Sequence, residues 1–287
     1  MEHGIIVKLA GGLGNQMFQY AAARSLSLRL GLPLTLDLSF YDRRRHRRYE
    51  LGRLPLAGHR VIQAPAGGWI PRMSRKWISA LQEWLGMLPT TYRESHFHFD
   101  PGFEGIGQSV ALVGGFQSER YFKDVASQIR TELSPPPAAD EFSVRLAHEM
   151  STRPSCAIHV RRGDYISSEK NRNLYAACGL DYYMQAASLI PADCRFYVFS
   201  DDMAWAREHL RLARPMIFVD SGHPRDALSD LWLMRGAEHH IIANSTLSWW
   251  GAWLKTGQGH IVAPKRWFAD TASLDDRDLV PSGWTRV

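Results

Sequence analysis

Residues 157–165 read Ala-Ile-His-Val-Arg-Arg-Gly-Asp-Tyr, an apolar run that ends in charged residues and a glycine. The apolar part looks like a buried strand, and further such runs follow it, separated by stretches with helical patterns. Strands that alternate with helices predict a mostly parallel sheet that is covered on both faces. The further strands are expected at 196–200, 216–220, 240–243 and 261–263, and the helices around 182–189, 204–210, 227–236 and 247–254.

A shorter α/β pattern lies nearer the N-terminus. An apolar run at 5–9 predicts a strand, the periodicity of 15–30 predicts a helix, and 34–38 predicts a second strand. Between about 41 and 99 the pattern is irregular and indicates one helix, 72–88, with apolar residues on one face. This half of the chain is therefore also expected to form an α/β unit.

The two patterns are separated by consecutive prolines at 135–137. Consecutive prolines can continue neither a helix nor a ladder of strand hydrogen bonds, so they mark a break between two units. The sequence therefore predicts an α/β protein of two lobes that face a cleft. The N-terminal lobe is expected to comprise residues 1–137 and the C-terminal lobe residues 138–287.

Composition limits the class of protein. Hydrophobic residues make up 45% and charged residues 22% of the 287 residues, as in ordinary globular proteins. No apolar stretch reaches the roughly 18 residues of a membrane span, and the N-terminus lacks the features of a signal peptide, so we expect a cytoplasmic protein. The three scattered cysteines predict reduced thiols. The net charge of +5 favours an anionic partner and leaves phosphate ligands, nucleic acid and membrane surfaces open.

The end of the strand at 157–160 carries the first candidate binding site. Ligands of open α/β sheets bind beyond the carboxyl ends of the strands, where His159, Arg161 and Arg162 would project. The planar fork of an arginine matches a phosphate group with two parallel hydrogen bonds. The alternative interpretation is a surface pair of arginines that forms salt bridges with Asp164.

A second candidate is the segment 244–251, Asn-Ser-Thr-Leu-Ser-Trp-Trp-Gly, which leads from a strand into a helix. The hydroxyl groups of Ser245 and Thr246, together with the free N–H groups of the helix start, would bind an anion. Helix capping alone could also explain Asn244 or Ser245. Phosphate binding becomes an attractive hypothesis only because this segment and the arginine segment would open onto the same sheet edge.

The glycine-rich stretch Gly-Gly-Leu-Gly-Asn-Gln at 11–16 lies between the first strand and the first helix. Its glycines would let backbone N–H groups approach a ligand. The dinucleotide fingerprint of oxidoreductases is a competing interpretation, with Asp37 as the ribose-binding acid, but Met17 stands where that fingerprint needs its third glycine. A tight glycine turn without a ligand also stays open.

Two acidic segments could hold a metal ion. Phe-Ser-Asp-Asp at 199–202 ends a strand, but Ser200 or Asp201 could instead cap the helix that follows. Asp-Arg-Asp at 276–278 has the form by which many sugar transferases hold a metal–diphosphate complex, yet no apolar strand leads into it. We therefore expect neither a metal nor another cofactor, with arginines and a helix start neutralising the phosphates.

Five arginines lie within residues 43–48, and they could contact nucleic acid or a membrane. No aromatic residues interleave them as base stacking would need, so an anionic membrane fits better than nucleic acid. A solvated loop is the simpler interpretation. The basic residues of the helix at 72–88 could also lie at a membrane, although packing of its tryptophan face in the core is the simpler use.

Taken together, these segments resemble the α-1,2-fucosyltransferases of bacteria and animals. The matching blocks are 11–20, 159–165, 199–202 and 244–253, which occur in the family's order, whereas residues 40–110 carry no resemblance. The blocks His-x-Arg-Arg-Gly-Asp-Tyr and Asn-Ser-x-x-Ser-Trp-Trp are the specific ones. The resemblance implies a GT-B-like fold of two Rossmann-like lobes. It also implies transfer of L-fucose from GDP-β-L-fucose to O2 of a galactose, with inversion to an α linkage.

The resemblance further implies roles for single residues. Arg161 would hold the β-phosphate and His159 would lie near the nucleoside. Asp230 would read the guanine edge, and Asn15 would reach the fucose end of the donor. The residues implied to bind the donor are Gly14, Asn15, His159, Arg161, Asp230, Ser245 and Thr246.

A single displacement also needs a base that takes the proton from the galactose O2. Asp164 is the first candidate because it follows the phosphate-binding strand by only a few residues. It could instead orient Arg161 or Arg162 through a salt bridge. Glu169, which matches the base position of some related fucosyltransferases, is the second candidate.

The expected partners are GDP-fucose and an acceptor that ends in galactose, either an oligosaccharide or a lipid-linked glycan. Peripheral contact with an anionic membrane is a further expectation, and none is expected with nucleic acid. Two alternatives stay open. The chain could be a non-catalytic nucleotide-sugar or carbohydrate-binding protein on the same fold, or a fucosyltransferase that forms a different linkage.

Overall fold

In the computed structural model the chain divides into two compact units, Met1–Leu133 and Ser134–Val287. Residues 43–46 of the arginine run and the helix expected at 72–88 lie outside the described residues. Among the residues that are described, no helix is both long enough and apolar enough to cross a membrane. The structure describes residues 4–41, 47–62, 89–220, 222, 226–269 and 274–287, without the side chains of Asp164, Ser167, Lys170 and Asn171.

The first unit is built on a parallel sheet whose described strands have the order β3-β2-β1-β5-β4. The strands are β1 (Ile5–Lys8), β2 (Leu34–Asp37), β3 (His59–Ile62), β4 (Thr90–Arg93) and β5 (Val110–Val113). The α-helices are α1 (Leu13–Leu30) and α2 (Ala126–Leu133), and short 3-10 turns span Leu51–Arg53, Pro101–Phe103, Glu119–Tyr121 and Lys123–Val125. The sequence predicted β1, α1 and β2, but it did not identify β3, β4 or β5.

A buried carboxylate ties helices α1 and α2 of the first unit together. Glu132 on α2 is 1% exposed. It accepts hydrogen bonds from Tyr20 on α1 at 2.6 Å and from Gln128 at 2.6 Å, and it pairs with Arg24 on α1 at 2.9 Å. A buried charge is tolerated when a partner charge and hydrogen bonds compensate its lost hydration. This network therefore supplies the compensation that Glu132 needs.

The second unit is also built on a parallel sheet, and its described strands have the order β11-β10-β9-β6-β7-β8. The strands are β6 (Ser155–Val160), β7 (Arg195–Ser200), β8 (Met216–Phe218), β9 (His239–Ile241), β10 (Ile261–Ala263) and β11 (Thr285–Arg286). The helices are α3 (Glu141–Ser151), α4 (Gly163–Ser167), α5 (Glu169–Arg172), α6 (Leu180–Ser188), α7 (Met203–His209), α8 (Ala227–Arg235) and α9 (Thr246–Trp253).

Strand β6 is buried along its whole length. Side chains of a strand alternate between its two faces, so Ile158 and Val160 lie on the face opposite Ala157. Ile158 and Val160 belong to an apolar cluster with Tyr183 of α6. Ala157 belongs to a second cluster, with residues of α3 and α8 such as Met150. Helices thus cover both faces of this sheet, and the predicted α/β architecture with parallel sheets is confirmed.

Candidate active site

The strand order of the second sheet marks a ligand-binding edge beside β6. From β6 the chain proceeds outward through β7 and β8, and it returns on the other side of β6 with β9, β10 and β11. At such a reversal the connections leave the two central strands in opposite directions, and ligands bind beyond their carboxyl ends. Residues 161–165 follow β6 and residues 242–246 follow β9. The fold therefore brings both predicted phosphate-binding segments to one edge.

Asp201 holds the turn that carries the arginines. Strands β6 and β7 pair with Val160 opposite Ser200, so the residues that follow these two are neighbours. The Asp201 carboxylate lies 3.1 Å from Nη1 of Arg161 and accepts a hydrogen bond of 2.9 Å from the backbone N–H of Arg162. Arg161 is partly exposed, with 26% of its side-chain surface open to solvent. A charged fork is thus fixed in place at the strand end while it remains accessible.

The adjacent Arg162 has a different environment. Its guanidinium carbon lies 3.6 Å from the centre of the Trp205 ring, and its Nε lies 3.6 Å from a carboxylate oxygen of Asp202. A guanidinium stacked on an indole is stabilised by cation–π attraction. The two arginines therefore have separate tasks, and Arg162 attaches the turn to helix α7.

Helix α7 is capped by a residue other than those the sequence indicated. Ser200 and Asp201 were the predicted caps, but the carboxylate of Asp202 accepts the capping hydrogen bond from the N–H of Trp205 at 3.2 Å. The Ser200 hydroxyl accepts from the N–H of Asp202 at 3.0 Å. The capping prediction for Asp201 is wrong because its carboxylate is engaged by the arginine turn.

His159 is a buried, neutral imidazole next to this turn. It is 6% exposed, and burial together with the charge of Arg161 lowers its pKa to about 4. Its Nδ1 has no hydrogen-bond partner among the described residues. A buried polar atom without a partner costs free energy. A ligand that donates or accepts a hydrogen bond at this nitrogen would remove that cost.

The start of helix α9 presents a hydroxyl group that does not cap the helix. Ser245 is the N-cap residue, and its side chain makes no capping hydrogen bond. The first turn of α9 contains no acidic residue. The N–H groups and the dipole of a helix start attract anions, and a serine hydroxyl adds one more donor. The helix start at Ser245 and Thr246 could therefore accommodate an anion, and capping does not account for Ser245.

Asn244 is a structural residue, not a helix cap. Its side-chain amide donates to the backbone carbonyls of Ala176 and Trp267, the latter at 3.0 Å. The backbone carbonyl of Asn244 accepts a hydrogen bond of 2.8 Å from the hydroxyl of Tyr165. The Tyr165 ring in turn lies 5.5 Å from the guanidinium carbon of Arg161. Tyr165 therefore links the arginine segment to the Asn-Ser-Thr segment.

Asp230 lies in the first turn of helix α8, where it is half-buried. Helix α8 follows β8, so it begins at the same edge of the sheet as the arginine segment. The cap of α8 is Asp226, which accepts from the N–H of Leu228 at 3.4 Å. Asp230 is therefore not needed as the cap of α8.

The structure gives less information about the two candidate bases, Asp164 and Glu169. The backbone of Asp164 lies in the short helix α4, directly after the arginine turn, and its side chain lies outside the described part of the structure. Glu169 is exposed at the first position of α5. Both roles stay predictions.

The glycine-rich segment lies at the carboxyl edge of the first unit's sheet, after β1. Gly11 has a φ of 83°, a conformation that favours glycine, and a Cβ atom there would lie 2.5 Å from the Asn15 amide nitrogen. Gly14 is buried in the first turn of α1. Asn15 accepts a hydrogen bond of 3.2 Å from the amide of Gln117, a residue that the sequence analysis did not single out.

The loop that carries Gln117 is held in a strained conformation. Phe116 has a φ of 51°, which is uncommon for a residue other than glycine. One carboxylate oxygen of Glu94 accepts hydrogen bonds from the N–H groups of Gly115 at 2.7 Å and Phe116 at 3.0 Å. Burial raises the pKa of Glu94. Glu94 follows β4, a strand that the sequence did not reveal, so this support could not be foreseen.

The Asp-Arg-Asp segment is built into the structure by its first aspartate. Asp276 accepts a hydrogen bond from the N–H of Trp267 at 2.8 Å and pairs with Arg286 at 3.0 Å. Arg277 pairs with Asp275. Within the described ranges, no group of three or more His, Cys, Asp or Glu residues is arranged to hold a metal ion.

The chain is similar in sequence to known glycosyltransferases. The chain is 30% identical over 293 residues to an alpha-1,2-colitosyltransferase of Escherichia coli, an alignment that covers 99% of this chain and 98% of that protein. It is 26% identical over 262 residues to galactoside alpha-(1,2)-fucosyltransferase 2 of Sus scrofa, covering 88% of this chain and 70% of that protein.

Among solved structures, a mutant of FUT1 from Arabidopsis thaliana in complex with GDP has a TM-score of 0.51 at 13% identity, and the match covers 99% of this chain and 76% of that one. The fold is thus of the GT-B type, as the resemblance implied. The family model described as glycosyl transferase family 11 matches residues 88–287. With most of its length matched by this model, the chain belongs to glycosyl transferase family 11.

Proposed function

We propose that this glycosyltransferase moves L-fucose from GDP-β-L-fucose to O2 of a galactose-containing acceptor and inverts the anomeric centre to an α linkage. The observation that carries the proposal is the pairing, at one sheet edge, of Arg161 with a helix start whose Ser245 hydroxyl does not cap the helix. Such a pair suits a diphosphate leaving group. The names of the two relatives, a colitosyl and a fucosyl transferase that both form 1,2 linkages, support the sugar class and the linkage.

In the proposed reaction, the bond from C1 of fucose to the β-phosphate oxygen breaks and negative charge develops on GDP. Arg161, Ser245 and Thr246 would bind that charge. Hydrogen bonds to a charged group contribute about 1.5–3 kcal/mol each, and a helix dipole adds about 0.3–1 kcal/mol. We propose that these groups replace the divalent ion that other sugar transferases use.

The remaining donor contacts follow the same proposal. Asp230 would accept hydrogen bonds from N1–H and N2–H₂ of guanine, and His159 would contact the nucleoside through its Nδ1. Gly14 would contact the donor, and Asn15 would reach its fucose end. These assignments rest on the position of each residue at a carboxyl sheet edge and on the family resemblance.

The acceptor must lose a proton as its O2 attacks C1. We propose Asp164 as the base, because its backbone follows the arginine turn directly, with Glu169 as the alternative. The proton passes from O2 to the carboxylate while the electron pair of the breaking bond leaves with GDP. A positioned base typically contributes about 10²–10⁴-fold in rate.

The test of the function is a donor panel. The protein is incubated with GDP-fucose, GDP-colitose, GDP-mannose and UDP-galactose, each with and without lactose, while nucleotide release is measured and the product linkage is determined by NMR. We expect lactose-dependent GDP release from GDP-fucose and an α-1,2 linkage in the product. GDP-colitose tests the second candidate donor, which the 30% identical relative favours.

Three outcomes would contradict the proposal in different ways. Turnover of UDP-galactose alone would exclude the guanine assignment. Binding of GDP-fucose without release, across a set of galactosides, would favour a non-catalytic binding protein. A product linked through another hydroxyl would keep the donor and reject the acceptor position.

Replacement of Asp230 by alanine is expected to weaken GDP binding and to reduce the preference for GDP-sugars over UDP-sugars. A carboxylate that accepts from guanine rejects bases without those donors, since its own oxygens would be left unpaired. Calorimetry with GDP and UDP measures both effects. Asp226→Ala is the matched control, because Asp226 caps the same helix. Unchanged GDP affinity in Asp230→Ala would reject the assignment.

A further inference from the structure

The carboxylate of Asp201 makes two contacts with the arginine turn at once. One oxygen lies 3.1 Å from Nη1 of Arg161, and the other accepts from the N–H of Arg162 at 2.9 Å. The second contact fixes the backbone from which the Arg161 side chain projects. The first contact fixes the end of that side chain. A long side chain is thus constrained at its base and at its tip by one group.

The space around this carboxylate is closed on the side of Gly163. A Cβ atom at Gly163 would lie 2.6 Å from a carboxylate oxygen of Asp201, closer than two such atoms can approach. Gly163 does not adopt a left-handed conformation, so the contact that a larger residue would make here is the one with the Asp201 carboxylate. A residue larger than glycine therefore does not fit at position 163 while Asp201 keeps its position.

An aromatic ring also lies near the guanidinium of Arg161. The guanidinium carbon of Arg161 lies 5.5 Å from the centre of the Tyr165 ring, and the Tyr165 hydroxyl is held by the carbonyl of Asn244. A guanidinium has five N–H donors, so it can bind a carboxylate and a phosphate at the same time. The contacts with Asp201 and Tyr165 leave the Arg161 fork with a defined orientation before a ligand arrives.

We infer that Asp201 is a positioning residue, which presents the Arg161 guanidinium to the diphosphate of the donor and does not itself touch the reacting atoms. This inference rests on the proposed function and extends it. Preorganised donors stabilise a developing charge without reorganising during the reaction. Loss of Asp201 therefore acts on ligand binding and on rate only through Arg161.

The neighbouring aspartate provides a control of the same chemistry. Asp202 pairs with Arg162 and caps helix α7, and no contact with Arg161 is seen for it in the described structure. Asp202→Asn should lower the melting temperature and leave the affinity for phosphates close to that of the wild type. Asp201→Asn should instead weaken phosphate binding more than it lowers the melting temperature.

The experiment is a double-mutant cycle on Asp201→Asn and Arg161→Lys in the full chain. Binding of GDP and of inorganic pyrophosphate is measured by calorimetry, and kcat/KM is measured with the best donor of the panel. We expect Asp201→Asn to weaken pyrophosphate and GDP binding about tenfold or more, with a parallel loss in kcat/KM. We expect the double variant to bind pyrophosphate and GDP no more weakly than Arg161→Lys alone. Both substitutions would remove the same interaction, the one between the positioned Arg161 and the diphosphate.

Gly163→Ala provides a second variant in case Asp201→Asn does not fold. The added Cβ displaces the carboxylate but keeps its charge, so pyrophosphate binding should also fall. Full pyrophosphate affinity in Gly163→Ala or Asp201→Asn overturns the inference. Additive losses in the cycle also overturn it, since Asp201 would then act independently of Arg161.

A fall in kcat of Asp201→Asn with intact GDP affinity would indicate that Asp201 is the base. We expect that combination instead for Asp164→Asn. The wild type could bind pyrophosphate, with non-additive losses in the Asp201→Asn and Arg161→Lys cycle, and yet turn over no nucleotide sugar. In that case the proposed function fails and the inference stands. If the wild type binds neither GDP nor pyrophosphate, both fail.

Discussion

Arg161→Lys is expected to lower kcat/KM by about 10²–10³-fold although the positive charge is kept. Lysine is a point donor and cannot form the two parallel hydrogen bonds of a guanidinium with a phosphate. It would also lose the geometry of the 3.1 Å contact with Asp201. Steady-state kinetics with GDP-fucose and lactose give the rate, and calorimetry gives the GDP affinity.

The control for this prediction is the same substitution one residue later. Arg162 is stacked on Trp205 and paired with Asp202, so Arg162→Lys should mainly lower the melting temperature. Its kcat/KM should stay well above that of Arg161→Lys. If Arg161→Lys retained activity within about threefold of the wild type, the β-phosphate would be held by another group.

Glu132→Gln is expected to destabilise the first unit by about 3–5 kcal/mol. The amide keeps the shape of the carboxylate, but it leaves the charge of Arg24, whose side chain is 13% exposed, without its partner. Removing one member of a buried ion pair is far more costly than replacing both. Differential scanning calorimetry can follow the unit separately, because two units need not unfold in one transition.

A partly exposed ion pair of the second unit provides the comparison. Glu149 pairs with Arg195, and each side chain is 31% exposed. Exposed pairs contribute about 0–1 kcal/mol, so Glu149→Gln should have little effect. Equal losses of unfolding free energy in Glu132→Gln and Glu149→Gln would show that the network around Glu132 is no stronger than a surface pair.

The architecture of the second unit could be predicted from the sequence because its strands are buried and apolar. Strand β6 has all six residues buried, and its apolar run is visible in the sequence. In the first unit, β3 and β4 are mostly exposed and show no apolar alternation. Their existence depends on pairing with β2 and β5, which is a long-range property.

The same distinction applies to the site. The positions of Arg161 and Ser245 at one sheet edge could be predicted because a charged or hydroxyl residue at a strand end is visible locally. The division of labour between Asp201 and Asp202 could not, because either of two adjacent aspartates can cap a helix that starts nearby. The register of β6 against β7 determines which aspartate contacts the arginine turn, because it places Asp201 beside Arg161. The contact of Asn15 with Gln117, 102 residues later, depends in the same way on strand order.

The hydrogen bond from Tyr165 to the Asn244 carbonyl joins residues 79 positions apart in the chain. The two segments proposed to bind phosphate therefore come from opposite halves of one sheet, and under that proposal neither half would contain a complete anion site. Under the same proposal, a chain in which β6 and β9 have not yet paired would not bind the diphosphate. Ligand affinity is then available only to the native sheet, so nucleotide binding and folding of the second unit are thermodynamically linked. In a cell, the concentration of donor would set part of this enzyme's resistance to unfolding.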